Sequence, residues 1–417
     1  MAVTNDVNAV PSESDLTPED LVRRARELRP RLIELQADTE ERTYYSPEIH
    51  QAFQAAGLYR IYIPRRYGGH EFDVSTYVRV LIELARGCVS SAWCFGLAAA
   101  HALQVASSFG ERTQAEVFGG AEEFRAASVA APSVIARREE GGWRLDGKVG
   151  YCSGIPYSTH FLGQAIPEGT APEDAENEML MFLAPRDEWT MLDDWGDQLG
   201  LRGSGSHSIV LQGCRVPDHW VLERTNMIDI DVSGGTPGLR LHGNPLYAGR
   251  NAGVFSMTLA AITVGAGYNA LDEYERLTRT RPTSLPPLVP RSTDPDYQRW
   301  LGTANVQLAT AEAALLRCAQ MRRELCEDAA SGRGPFGFEQ DQHIAAIARE
   351  VIVQAWETAE RNIFRSAGAR VMVKDSRMER IYRDMSMIAV HRNTGFRDPV
   401  HRLLGLMRLD DQIPREV

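Results

Sequence analysis

What most limits the fold of this chain is the order of its hydrophobic patterns: helical spacing, then short strand-like runs, then helical spacing again. Thr17-Pro18-Glu19-Asp20 opens a first helix, with a capping residue, a proline suited to the first turn and acids at the positive end of the dipole. Leu21, Ala25, Leu28, Leu32 and Leu35 follow at helical spacing, and Pro30 is expected to kink or divide that helix. Ser46-Pro47 begins another, with Ile49, Phe53 and Ala56 inward and Gly57 as its stop. Residues 74–85 and 90–109 read as two more helices. After Gly120 the pattern shortens. Residues 126–136 alternate, 139–142 turn the chain into 143–145, and further apolar runs at 179–184, 208–211 and 214–216 end near Pro185 and Pro217. Residues 169–177 are acidic and read as a surface loop. From Asn251 long helices return at 253–277, 294–330 and 338–370, the first two joined by a proline-rich stretch at 281–291. This order predicts α+β with an inserted antiparallel β-barrel or sandwich, and it excludes a doubly wound sheet. The expected units are a helical domain over 1–122, a β domain over 123–235 and a helical bundle over 236–417, with 1–14 disordered.

At 417 residues and 43% hydrophobic content the chain can bury a large core. Its net charge of −11, without a Lys/Arg-rich block, argues against nucleic acid as a partner. The first residues carry neither a basic segment nor an apolar run of the signal-peptide kind, so a cytoplasmic protein without a membrane association is expected. The most apolar stretch, 92–106, is too short to span a bilayer and reads as a buried helix. Cys88, Cys94, Cys152, Cys214, Cys318 and Cys326 form no Cys-x-x-Cys pair; small buried thiols explain them, and no metal site is expected. No Gly-x-Gly-x-x-Gly follows a strand, and Gly200-x-x-Gly203-x-Gly205 has the wrong spacing, so no nicotinamide site is expected.

Four stretches carry a resemblance. They are Ile63-Pro-Arg-Arg-Tyr-Gly-Gly69, Leu199-Gly-Leu-Arg-Gly-Ser-Gly-Ser206, Tyr151-Cys152-Ser153-Gly154, and the segment Arg377 to Asn393 with its Arg383-Asp384 pair. Their order and distances resemble the acyl-CoA dehydrogenase fold over nearly the whole chain. That fold's dehydrogenases carry a catalytic glutamate in a Tyr-Glu-Gly run about two turns after the Arg-Asp pair. Here the stretch reads Ala-Val-His391-Arg-Asn393, with no carboxylate after Asp384. The chain therefore resembles the oxygen-using branch, the two-component flavin-dependent monooxygenases, and among them the oxygenase components that hydroxylate p-hydroxyphenylacetate. A plain acyl-CoA dehydrogenase and a silent oligomeric scaffold are the weaker alternatives, and an N-oxygenase of amines or amino sugars is the nearer one.

The resemblance implies reduced FMN or FAD delivered by a separate NAD(P)H:flavin reductase, O2 as co-substrate, a C4a-hydroperoxyflavin and hydroxylation of a phenolic or polycyclic aromatic. It implies a homotetramer, in which Arg279 or Arg281 reaches a neighbour's flavin phosphate. It places Ser153 beside flavin N5, with Tyr151, Cys152 and Gly154 around it and Arg202, Ser204 and Ser206 as further flavin contacts. His101 is implied as the base on the substrate hydroxyl, and His391 as a residue near flavin C4a. Trp93, Leu97 and His101 recur every four residues and share one helix face, which suits the wall of a pocket for a flat guest. The resemblance further implies substrate contacts at Ser128, Tyr247 and Arg250. Read from the residues alone, His101 is at least equally a core histidine bonded to a backbone carbonyl, and Ser153-Gly154 is more simply a turn. Asp384 and His391 lie two turns apart on one expected helix, too far for direct contact, and Arg380 with Asp384 reads as an i,i+4 ion pair.

Overall fold

Residues 16–409 are described by a computed structural model. The N-terminal part holds α1 (Pro18–Glu27), α2 (Arg29–Glu34), α3 (Gln36–Arg42), α4 (Pro47–Ala55), α5 (Val74–Gly87), α6 (Val89–Ser108) and α7 (Glu111–Phe118). Thr17 and Asp20 cap α1 reciprocally, each side chain accepting the other's backbone N–H at 3.2 Å. The helix breaks at Leu28 and restarts with Pro30 in the first turn of α2, as its missing N–H requires. Of the expected stripe, Leu21, Ala25 and Leu32 are buried, while Leu28 and Leu35 pack at the edge of the core. Ile49 and Phe53 of α4 are buried and Ala56 is partly exposed; Gly57 leaves the helix at φ 74°. The expected disorder of residues 1–14 lies outside the described residues.

The apolar helix α6 extends beyond the 92–106 stretch to 20 residues, long enough by length and composition to cross a membrane. Its apolar window is 94% buried within the protein, between α5, the helix Ala252–Thr280 and the sheet, so its all-round hydrophobicity is that of a core helix.

Seven strands follow: β1 (Ala126–Glu139), β2 (Gly142–Val149), β3 (His160–Pro167), β4 (Leu180–Pro185), β5 (Thr190–Met191), β6 (Ile209–Pro217) and β7 (Val221–Leu222). They form one sheet in the order β5-β6-β2-β1-β3-β4-β7. Every pairing is antiparallel as expected except β1 with β3, which is parallel because the chain crosses from β2 over residues 150–159 before it re-enters the sheet. The sheet curls enough to bring β4 against β6. β3 carries no alternation that sequence periodicity could find, because it is central and buried on both faces. The runs at 208–211 and 214–216 are one strand, β6, bridged by Gly213 at φ 67°. Trp143, Leu145, Phe161, Phe182 and Trp189 form the sheet's own core.

The C-terminal part holds α8 (Pro237–His242), α9 (Ala252–Thr280), α10 (Pro295–Ser331), α11 (Phe338–Thr358), α12 (Arg365–Ala367), α13 (Arg377–Ala389), α14 (Arg392–Gly395) and α15 (Arg397–Leu409). A π-helical turn at Ala359–Phe364 joins α11 to α12. α9 is the axis of the bundle and packs on α10, α11 and α13 and on α5 and α6 of the N-terminal part. All six cysteines are buried and unpaired.

Candidate active site

Four polar groups from three regions meet at Ser153. The Trp93 indole of α6 donates its Nε1–H to Ser153 Oγ at 3.0 Å. Ser153 Oγ lies 2.8 Å from Ser206 Oγ, which lies 2.7 Å from Ser204 Oγ. An indole N–H can only donate, so it occupies one lone pair of Ser153. If the Ser153 proton goes to Ser206, its second lone pair is free for an N–H from outside the chain. Gly154 makes the close approach possible. It sits at φ 83°, and a Cβ there would lie 2.5 Å from the Cys94 carbonyl oxygen on α6. Around it, Cys152 is buried with Sγ on the Val149 carbonyl. Tyr151, at φ 60° and 69% exposed, packs edge-on to Trp195. The set is uncharged and mixes donors with an open acceptor, which fits the N–H and C=O edge of a flat heteroaromatic ring such as reduced flavin.

Two histidines carry opposite tautomers: His391 beside Trp93, and His101 eight residues further along α6, about 12 Å by helical rise. His101 Nδ1 lies 2.8 Å from the Ala126 carbonyl oxygen, which can only accept; the proton is therefore on Nδ1 and the lone pair on Nε2. The backbone bond foreseen for a core histidine is thus present, and it leaves the other nitrogen as a base. His391 is reversed: its Nδ1 accepts the Asn393 backbone N–H at 3.1 Å, so Nε2 carries the proton and the ring is a donor. Trp93 links the two halves of the site, since its ring meets His391 edge-on at 5.3 Å while its N–H holds Ser153. Phe255 of α9 covers His101 at 5.5 Å between ring centroids.

Burial holds both imidazoles neutral, each pushed down to about 4. For His101 this lies below the ordinary 6.5, so the unfolded chain takes up the proton first. Its contribution to stability is complete above about pH 6.5 and is lost as pH falls toward 4, on the order of 3 kcal/mol in full. His50 and His160, also pushed down to about 4 by burial, act in the same direction. The melting temperature is expected to drop as pH is lowered from 7 to 5, and less steeply in His101→Gln; parallel melting curves for the two proteins would contradict this.

His391 is not on the helix of Asp384, contrary to the expected continuous segment. α13 ends at Ala389, Val390 caps it, and His391 is the N-cap of α14. The expected Arg380–Asp384 ion pair is also absent: Arg380 bonds Glu40 at 2.8 Å, and Asp384 accepts the Leu201 N–H at 2.6 Å. Helix i,i+4 spacing permits a pair, but a carboxylate of α3 competes for the arginine.

The other expected contacts divide. Leu97 is partly exposed on the face of Trp93 and His101, and Ser128 donates to Met227 Sδ at 3.2 Å. Ser206 touches Ser153 directly, whereas Ser204 is fully buried behind it. Arg202 Nε donates to the Gln198 carbonyl at 2.6 Å and lies 3.8 Å from Glu40. Tyr247 is corrected to a core residue: it is fully buried, with its hydroxyl on the Tyr62 carbonyl at 3.0 Å. Arg250 is buried and pairs with Asp229, beside Gln104, Ser108 and Asp341 in a small polar pocket. Asn393, Phe255 and Leu201 were not singled out in the sequence, although Asn393 and Leu201 lie in stretches that carry the resemblance.

Comparison with known proteins agrees with this architecture. The family models "Acyl-CoA dehydrogenase, N-terminal domain" and "Acyl-CoA dehydrogenase, C-terminal domain" match residues 18–118 and 257–396, together more than half of the chain. The chain belongs to the acyl-CoA dehydrogenase family. Its similarities lie on the flavin-dependent monooxygenase branch of that family. It is 27% identical over 248 residues to the flavin-dependent monooxygenase oxygenase subunit HsaA of Rhodococcus jostii, a match spanning 59% of this chain and 62% of that relative. It is 22% identical over 409 residues to the p-hydroxyphenylacetate 3-hydroxylase oxygenase component of Acinetobacter baumannii, covering 94% of this chain and 89% of that one. The structure of XiaF from Streptomyces sp. in complex with FADH2 and glycerol superposes with a TM-score of 0.83 at 24% identity, over 95% of this chain and 97% of that one, which shows the shared fold.

Proposed function

We propose that this chain is the oxygenase component of a two-component monooxygenase that hydroxylates a phenolic or polycyclic aromatic. The observation that carries the reading is the pair of opposed tautomers, an acceptor at His101 and a donor at His391, with Trp93 tying His391 to the neutral hydroxyl chain. Names of the relatives support the same reading: a flavin-dependent oxygenase subunit and the oxygenase component of a phenol hydroxylase. Reduced FMN or FAD, delivered by a separate NAD(P)H:flavin reductase, supplies the electrons that activate O2. The division into 1–122, 123–235 and 236–417 belongs to the proposal, supported by strands confined to 126–222, as does a cytoplasmic setting.

Trp93, Leu97 and Phe255 offer apolar walls for an aromatic ring. His101 Nε2 accepts the proton of the guest's hydroxyl as electron density moves from that oxygen to the ortho carbon. His391 Nε2–H donates toward the reacting oxygen. Ser153 accepts an N–H of the bound ring and keeps that proton from leaving; the dry surroundings strengthen the bond. Among 385–396 there is no carboxylate, so this segment offers no base for removing a proton alpha to a thioester.

A homotetramer is part of the proposal. Arg281 lines a cavity of about 500 Å³ with Arg276, Arg370 and Arg377 at the end of α9, whereas Arg279 is paired with Glu275 on the surface. Arg281 is therefore the better of the two for a flavin phosphate from a neighbouring copy.

The deciding experiment supplies reduced FMN or FAD to the protein with a panel of phenols and isotopically labelled dioxygen. One labelled oxygen atom in the product is expected; consumption of thioesters without oxygen uptake would overturn the reading. Ser153→Ala is expected to bind reduced flavin within about tenfold of the parent, the span of one hydrogen bond, and to release most of its oxygen as hydrogen peroxide. Peroxide release at the parental level would remove Ser153 from this role.

A further inference from the structure

Asp384 is 3% exposed, and no cation lies within ion-pair distance of it among the described residues. Burying a carboxylate in this state is costly unless something specific compensates. Glu40 of α3 takes both Arg380 and Arg383, and Glu379 takes Arg383 a second time. The groups facing Asp384 are these arginines and Glu40, with Cys88 and Ser90 from the α5–α6 junction. Its Oδ1 accepts the Leu201 N–H at 2.6 Å, and its Oδ2 lies 3.4 Å from Ser90 Oγ.

Leu201 is the unusual partner. It sits at φ 54°, a left-handed conformation that costs a leucine about 1–2 kcal/mol. Its carbonyl accepts two further bonds at 3.0 Å, from Trp195 Nε1 and from the Ser204 N–H. One side of this strained residue is thus held by Asp384, and the other holds the backbone of Ser204. From Ser204 the hydroxyls run through Ser206 to Ser153. The loop lies flat on α13, since a Cβ on Gly200 would strike the Arg383 carbonyl, and Arg383 also donates to the Leu199 carbonyl at 3.1 Å.

We propose that Asp384 is a positioning residue for the hydroxyl chain: by holding Leu201 it sets the backbone of 199–206 in the shape that aligns Ser204 and Ser206 with Ser153. The α13 carboxylate thereby acts on the flavin edge from the far side of the loop, without touching the ring. The proposal rests on the flavin reading of Ser153.

Amide hydrogen exchange over 199–206 in the flavin-free parent tests the anchor directly. The Leu201 amide is expected to exchange far more slowly than an open loop, and exchange at open-loop rates would overturn the proposal whatever the variants do. Asp384→Asn keeps an acceptor for Leu201 and is expected to bind reduced FMN within about twofold of the parent, whereas Asp384→Ala is expected to bind about tenfold more weakly and to exchange faster at 199–206. A folded Asp384→Ala protein with parental exchange and parental FMN affinity would also overturn it. If the parent itself fails to bind reduced FMN or FAD, the flavin reading falls, while the exchange data still decide whether Asp384 anchors the loop.

Discussion

Replacing His101 with alanine is expected to cut product formation by about two orders of magnitude while reduced-flavin affinity stays near the parental value. The magnitude is that of a lost general base. The physical ground is the fixed tautomer: the Ala126 carbonyl holds the Nδ1 proton, so Nε2 presents its lone pair, and burial keeps the ring neutral. Oxygen should still be consumed, with hydrogen peroxide in place of product. Two controls separate base catalysis from damaged packing. Added imidazole should restore part of the yield by entering the vacated space. Substrates whose hydroxyl is already ionised should lose less, so the variant's rate should rise with the phenolate fraction as pH is raised. Full product yield from His101→Ala at every pH would reduce His101 to the core residue that its backbone bond also allows.

The second large effect is expected from a single methyl group. Gly154→Ala places a Cβ 2.5 Å from the Cys94 carbonyl oxygen and 2.9 Å from the Ala98 Cβ, both on α6, at a φ of 83°. The left-handed backbone costs alanine about 1–2 kcal/mol, and the contacts with a helix backbone and a Cβ cannot be relieved by turning a flexible side chain. The loop must lift from α6, and Ser153 with it, away from Trp93. A loss of at least about tenfold in reduced-flavin affinity is expected, equal to about 1.4 kcal/mol or more, with a lower melting temperature. Gly302→Ala is the control: in α10 nothing lies within 4 Å of the added carbon, and alanine favours the helix by about 0.5–1 kcal/mol. If Gly154→Ala matches Gly302→Ala in stability and flavin binding, the loop does not need its contact with α6.

Much of the site could be read from particular residues. The stripe of Trp93, Leu97 and His101 is a matter of helical spacing, and α6 carries it as expected. Ser153 stood out only through the resemblance, since Ser-Gly alone reads as a turn, and the missing carboxylate after Asp384 is visible by inspection. The end of α13 was not visible. Between Asp384 and Thr394 there is no glycine or proline to mark a stop, so the pattern reads as one helix until the backbone shows His391 capping the next. Tyr247 illustrates the reverse error: the resemblance put its stretch at the pocket, but its hydroxyl found the Tyr62 carbonyl, 185 residues away in sequence, inside the core.

Local chemistry along the chain determined which elements form, where the capped and glycine-ended helices begin and stop, and which side chains are able to accept or donate. Those properties depend on neighbours a few bonds away. Which nitrogen of His101 holds its proton, which carboxylate takes Arg380, and which lone pair of Ser153 stays open were decided only on folding. Each of these is a competition between hydrogen-bond partners from separate segments, and its winner is set by the packing of α6, the 199–206 loop and α13 against one another.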